Sequence, residues 1–196
     1  MTPPFLVGAA LSLLLGATDS ARALPAPPDS SQRAPKPAVA TPATSNPAAT
    51  APAGAFVADS IVVEKGAHRL SLYHGGRVAR SYLVALGRDP VGPKERRGDG
   101  RTPEGLFHID GRNARSRYHL ALHVSYPDAA ALARARTLGV SPGGDIMIHG
   151  LPNGQGDAGA SHREEDWTEG CVAVTDDEIE EIWRFVPLHT PIRIKR

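Results

Sequence analysis

Proline and glycine divide this chain of 196 residues into two unlike parts: 10 of its 18 prolines precede residue 56, and 17 of its 20 glycines follow it. Proline fixes φ and lacks a backbone donor, so a proline-rich stretch builds neither a sheet ladder nor a helix interior. Glycines set between apolar runs mark tight turns. A packed core therefore belongs to the last part of the chain, about 140 residues, long enough to bury most of its apolar surface. The net charge of +1 exerts no general pull toward nucleic acid or an acidic surface. One cysteine excludes an internal disulfide framework and a multi-thiolate zinc site.

Residues 1–23 read as an export signal. An apolar run of 13 residues, Phe5 to Ala17, precedes the small-residue site Ala21-Arg22-Ala23, although no Lys or Arg stands before the run. The run is short for a membrane span, and no cysteine follows it to accept lipid. The expected location is the periplasm or cell wall, with the membrane involved only through the signal. Residues 24–55 hold 8 Pro and 10 Ala without one aromatic, which predicts a disordered tether.

From residue 56 to 196 the pattern is mainly β. Strands are expected at Ser60 to Lys65, Arg69 to Tyr73, Arg77 to Gly87, Gly105 to Ile109, Tyr118 to Val124, Asp145 to Ile148 and Pro191 to Lys195, with a hairpin turn at His74-Gly75-Gly76. Two peripheral α-helices complete the domain. One starts with Pro127 at its first position and ends at Gly139. The other is capped by Thr175 with Glu178 three residues on, and Ile179, Ile182, Trp183 and Val186 form its core face. Charge is sorted as well: residues 88–117 carry eight Arg or Lys against five acids, and residues 157–181 carry ten acids against one Arg. These are two solvated faces, or together a site for a substrate bearing both carboxylates and amines.

An unpaired cysteine in an exported chain is open to over-oxidation, so its presence asks for a reason. Cys171 follows Gly170 in DWTEGCVAV, where a glycine permits a turn that aims amide groups at a reacting carbonyl. A thiol acts as a nucleophile once a base generates the thiolate. His149 ends the apolar strand IMIHG, before Gly150, where a polar side chain emerges at a sheet rim. His119 and His123, four apart, share one strand face and either line a cleft or meet water, while His162 falls in a glycine-rich loop and reads as surface.

The combination IMIHG, a loop, then GCVAV resembles the L,D-transpeptidase (YkuD-domain) family, whose motif is His-Gly, a loop, and Ser/Thr-His-Gly-Cys before a short apolar run. RTPEGLFHI at 101–109 and SRYHLALHVSYP at 116–127 resemble further family segments. The resemblance implies a β-sandwich-like arrangement of mixed sheets, Cys171 as nucleophile, His149 as the partner that moves its proton, and Gly170 and Gly150 shaping the backbone about them. A main-chain carbonyl orients the imidazole in such enzymes. The implied reaction is acyl transfer through a thioester: Cys171 attacks the L-centre carbonyl of a diamino acid in a peptidoglycan tetrapeptide stem and releases D-alanine. The partners expected are stem peptides, for a monomeric protein with no cofactor, no metal and no nucleic acid.

This chain departs from the family pattern at three points. Glu169 replaces the histidine two residues before the cysteine, Ala173 replaces a basic or amide residue two after it, and His149 and Cys171 stand 22 positions apart, which enlarges the loop between them. Glu169 either attracts an incoming ammonium, which gives cross-linking, or activates water, which gives an L,D-carboxypeptidase or stem-peptide hydrolase. Thr168, Trp167, His123 and His119 are the further candidates for substrate contact. The rivals are a cell-wall binding module without catalysis and a metal-dependent hydrolase using His149, His162 and Cys171. Activation of the thiol predicts faster alkylation than a free cysteine shows near neutral pH.

Overall fold

The computed structural model describes residues 56–196, so the export signal and the tether lie outside the described residues. Eight strands and two α-helices follow in the order β1 (Ser60–Glu64), β2 (Arg69–His74), β3 (Arg77–Leu83), β4 (Gly105–Ser116), β5 (His119–Val124), α1 (Ala129–Leu138), β6 (Met147–His149), β7 (Val172–Ala173), α2 (Asp176–Phe185) and β8 (Pro191–Lys195). Two 3-10 segments, Lys65–Ala67 and Gly156–Glu164, supplement them. The architecture is mainly β, as expected.

The strands form one mixed sheet in the order β3-β2-β1-β8-β4-β5-β6-β7. Gly75 and Gly76, with φ of 57° and 73°, close the β2–β3 hairpin, since a two-residue turn of this hand needs positive φ at both positions. Alternation in β1 and β8 buries Ile61, Val63, Ile192 and Ile194 on one face, and parallel pairing sets Ile61 beside Ile192 and Val63 beside Ile194. The long strand β4 divides its pairing. Gly105–His108 bonds β8, whereas the residues from Ile109 bond β5. One strand thereby links both halves of the sheet.

Strand β3 stops at Leu83, short of the Gly87 expected. Beyond it Ala85 and Ala173 exchange backbone hydrogen bonds of 3.0 and 2.8 Å, and Gly87 bridges Thr168. The chain leaving one sheet edge thus bonds the opposite edge, next to the cysteine. This pairing spans almost 90 residues of sequence, which no local pattern encodes.

Helix α1 also starts later than its proline suggested. Asp128 is the N-cap, accepting the Ala131 N–H at 2.7 Å, and Pro127 lies outside the helix. The end at Gly139, φ 67°, is as read. Helix α2 has the expected capping box between Thr175 and Glu178. Its Ile179 and Ile182 are fully buried against β5 and β6, while Trp183 is only half-buried and carries the Arg112 guanidinium 4.0 Å above its ring. This helix packs behind the strand that bears His149.

Candidate active site

His149 is the last residue of β6 and is buried, 3% exposed. The register places Ala121, His149 and Ala173 side by side across β5, β6 and β7, and paired residues share a face. Cys171 precedes Ala173 by two residues, so alternation returns it to that face at the mouth of β7. His149 Nδ1 lies 2.7 Å from the Gly150 carbonyl oxygen. A carbonyl only accepts, so Nδ1 holds the proton and Nε2 keeps its lone pair for a neighbouring acid. Burial holds the imidazole below its ordinary pKa, and the bond to Gly150 offsets only part of this. The ring of Tyr118 lies 4.5 Å away and the Trp167 indole meets the imidazole edge-on at 5.7 Å.

The Cys171 thiol donates to the Asp145 carbonyl at 3.5 Å. Burial pushes its pKa up, against the backbone N–H of Met147 and the charge of Lys94, which draw it down. Burial thus disfavours both charged forms, thiolate and imidazolium alike, which runs against the faster alkylation that an activated thiol would show. A neutral thiol beside a neutral imidazole can be deprotonated as it attacks, by general base catalysis.

The turn before the cysteine is rigidly built. Thr168 is buried; its hydroxyl donates to the Cys171 carbonyl at 2.8 Å and accepts the Gly170 N–H at 3.1 Å. Gly170 has φ 128°, and a Cβ there would stand 2.5 Å from the Arg101 carbonyl oxygen. At Gly150 a Cβ would meet an Asp176 carboxylate oxygen at 2.6 Å. The Gly150 N–H donates to the carbonyls of Tyr118 and Leu120, so both glycine N–H groups are engaged within the protein. These two glycines give the site its backbone shape.

The remaining candidates separate in space. Glu169 is exposed and ion-paired with Arg88, which joins the basic and acidic stretches of the sequence beside the thiol. Trp167 packs on His149. His123 lies on the face of His149 by register and faces Asp110 at 2.5 Å. His119 does not share that face: its φ of 61° breaks the strand alternation, and its ring pairs with Glu180 of α2 at 2.9 Å. Among the described residues, no group of three or more His, Cys, Asp or Glu side chains is placed to hold a metal ion.

The sequence did not disclose Tyr118, Asp145 or Lys94 as neighbours of His149 and Cys171, and it joined His162 to them only in the metal-hydrolase rival. His162, read as surface, is half-buried and faces Trp167, whose Nε1 points to its Nδ1 at 3.5 Å. The enlarged loop carries both residues inward. Its end is fastened by Asp166, which accepts the Leu86 N–H at 2.7 Å and faces His68, and by Arg163, ion-paired with Glu178 of the α2 capping box. Two pockets lie at opposite ends of β6. A charged one of about 200 Å³ includes Lys94, Arg97, Asp145 and Glu169, and a more apolar one of about 210 Å³ includes Leu151, Pro152, His162 and Trp167.

The family model of the L,D-transpeptidase catalytic domain (YkuD) matches residues 58–194, which include the dyad, the turn and both pockets. The chain belongs to this family. YafK of Escherichia coli (strain K12), named for the same class of enzyme, is 30% identical over 108 residues, covering 54% of this chain and 36% of YafK, so the chain spans little over a third of that relative. Among solved structures, the helical cell shape determining protein Pgp2 of Campylobacter jejuni superposes with a TM-score of 0.54 at 23% identity, over 69% of this chain and 46% of Pgp2. Bd1075 of Bdellovibrio bacteriovorus gives a TM-score of 0.50 at 26% identity, over 72% and 49%. An L,D-transpeptidase catalytic domain with an enlarged loop and a glutamate before its cysteine is what these observations describe.

Proposed function

We propose that this chain is an exported cysteine acyltransferase that acts on peptidoglycan tetrapeptide stems, its catalytic domain carried on the tether of residues 24–55. Cys171 attacks the L-centre carbonyl of the diamino acid while His149 Nε2 takes the thiol proton. The Sγ–C bond forms, the peptide C–N bond breaks, and the proton passes from His149 to the departing nitrogen of D-alanine. An amine of a second stem then takes the acyl group. The observation that carries this reading is the Nδ1 bond of His149 to Gly150, because it leaves a bare Nε2 on the face that bears the cysteine. A binding module has no use for a buried imidazole held in that tautomer.

Water as acceptor makes the same dyad an L,D-carboxypeptidase. Glu169, standing where the family pattern has histidine, supports this second reading. Its carboxylate is engaged by the Arg88 guanidinium, which competes with any water it would activate. Incubation of the purified protein with tetrapeptide muropeptides, with and without a second stem, tests both by mass spectrometry. Cross-linked product supports transpeptidation, and tripeptide alone supports hydrolysis. A Cys171→Ala protein that still releases D-alanine would refute either.

A further inference from the structure

The charged pocket at the start of β6 adjoins the nucleophile through Asp145: its carbonyl accepts the Cys171 thiol proton, and the residue is part of the pocket lining. Four charged residues line it, and two are already compensated. Lys94 is buried and bonds Asp99 at 2.7 Å, and Glu169 is ion-paired with Arg88. Arg97 and Asp145, both exposed, have no ion-pair partner among the described residues, which leaves one uncompensated positive and one uncompensated negative residue on the pocket.

The walls are preorganised. Asp99 accepts the backbone N–H groups of Glu95, Arg96 and Arg101 at 2.8 to 3.0 Å, so one carboxylate folds the whole loop that bears Arg97. Burial alone would raise its pKa, yet these bonds and the one from Lys94 hold it down to about 2. The Arg97 N–H in turn donates to Ser141 at 2.8 Å, which ties this loop to the segment of Gly143, Gly144 and Asp145 opposite. At Gly143, φ 81°, a Cβ would lie 3.2 Å from Lys94 and 3.3 Å from the Arg97 backbone, so the two walls meet where glycine alone fits comfortably.

We infer that this pocket is the leaving-group site: it holds one C-terminal α-amino acid, with Arg97 gripping the carboxylate and Asp145 receiving the ammonium that forms as the peptide bond breaks. The assignment rests on the acyl-transfer reading for its substrate and on the pocket for its chemistry. Before attack the terminal residue presents only a carboxylate. After the C–N bond breaks and His149 returns its proton, the freed amine takes a second proton from water, and the product is a zwitterion matched to one charge of each sign. About 200 Å³ accommodates a single small residue, which restricts release to one amino acid at a time. Arg97 is thus a specificity-determining residue.

Two measurements test this. In the first, full-length Cys171→Ala protein is titrated with D-alanine, D-alaninamide and D-lactate. D-alanine should bind more tightly than either analogue, by about tenfold over the amide that lacks the carboxylate charge. Arg97→Gln should erase the preference over the amide, and Asp145→Asn the preference over D-lactate. In the second, the wild-type protein is offered a tetrapeptide stem and its C-terminal amide, and kcat/KM should favour the free acid by a similar factor that Arg97→Gln removes. Equal binding of D-alanine and D-alaninamide overturns the pocket. Equal turnover of stem and amide also overturns it while leaving acyl transfer standing. Selective D-alanine binding by a protein that turns over neither substrate supports the pocket and sinks the acyl-transfer reading.

Discussion

His149 donates from Nδ1 to the carbonyl of its own neighbour, Gly150, at 2.7 Å, so the fold orients this imidazole without a third acidic side chain. Burial disfavours imidazolium, and the proton therefore leaves His149 at a lower pH than it leaves an exposed histidine. The base form persists further into acid. The acidic limb of kcat/KM should fall below the ordinary imidazole value of about 6.5. A limb well above that value would contradict the buried, neutral base.

The thiol moves in the opposite direction. Because burial pushes the Cys171 pKa up, the thiolate appears only at higher pH than in a free cysteine. Alkylation by iodoacetamide at pH 7 should be slower than that of a cysteine peptide, with the rate midpoint above about 8.5. Lys94→Met, which removes a charge that favours thiolate, should move the midpoint further up. A midpoint below that of the free peptide would show a preformed ion pair instead.

Gly170 is predicted to be irreplaceable by alanine. Its φ of 128° is accessible to glycine, and the added Cβ would stand 2.5 Å from the Arg101 carbonyl oxygen, which belongs to backbone and cannot swing aside. Gly170→Ala should lower thermal stability by about 1–3 kcal/mol and remove activity with it. Wild-type Tm and turnover in this variant would mean that the turn before Cys171 is looser than it looks.

The two bonds of Asp166 should differ in worth. Its pair with His68 joins a side chain that is 45% exposed, and exposed pairs contribute under about 1 kcal/mol. Its bond to the Leu86 N–H satisfies a donor of a fully buried residue, and orphaning such a donor costs about 1–3 kcal/mol. His68→Ala should therefore be mild, and Asp166→Ala should destabilise the fold and loosen Trp167 beside it. Chemical denaturation of both variants separates the cases. Equal losses would assign the stability to the ion pair.

Helix α2 was legible because its determinants are local: the Thr175 cap, its Glu178 partner and the apolar stripe all lie within one element. Helix α1 was misread at one end because proline and the capping aspartate both signal a start, and Asp128 has the side chain that accepts the Ala131 N–H. The end of β3 was misread because an apolar run does not say which strand it will meet; Ala85 bonds a residue 88 positions away. His119 and His123 look equivalent by spacing, and only the backbone turn at His119 parts them.

By itself the sequence carried the reading of a β-rich domain after residue 56 and singled out His149 and Cys171, since composition, period and the His-Gly and Gly-Cys steps are all local. It also carried the family membership, which the match over residues 58–194 establishes. The tertiary structure decided everything that depends on what surrounds a side chain. Burial set the directions in which His149 and Cys171 titrate, loop folding brought Trp167 and His162 inward, and ion pairing compensated Lys94 and Glu169 while leaving Arg97 and Asp145 free. Solvation and electrostatics act through space, and a chain's order in sequence does not record distance in space.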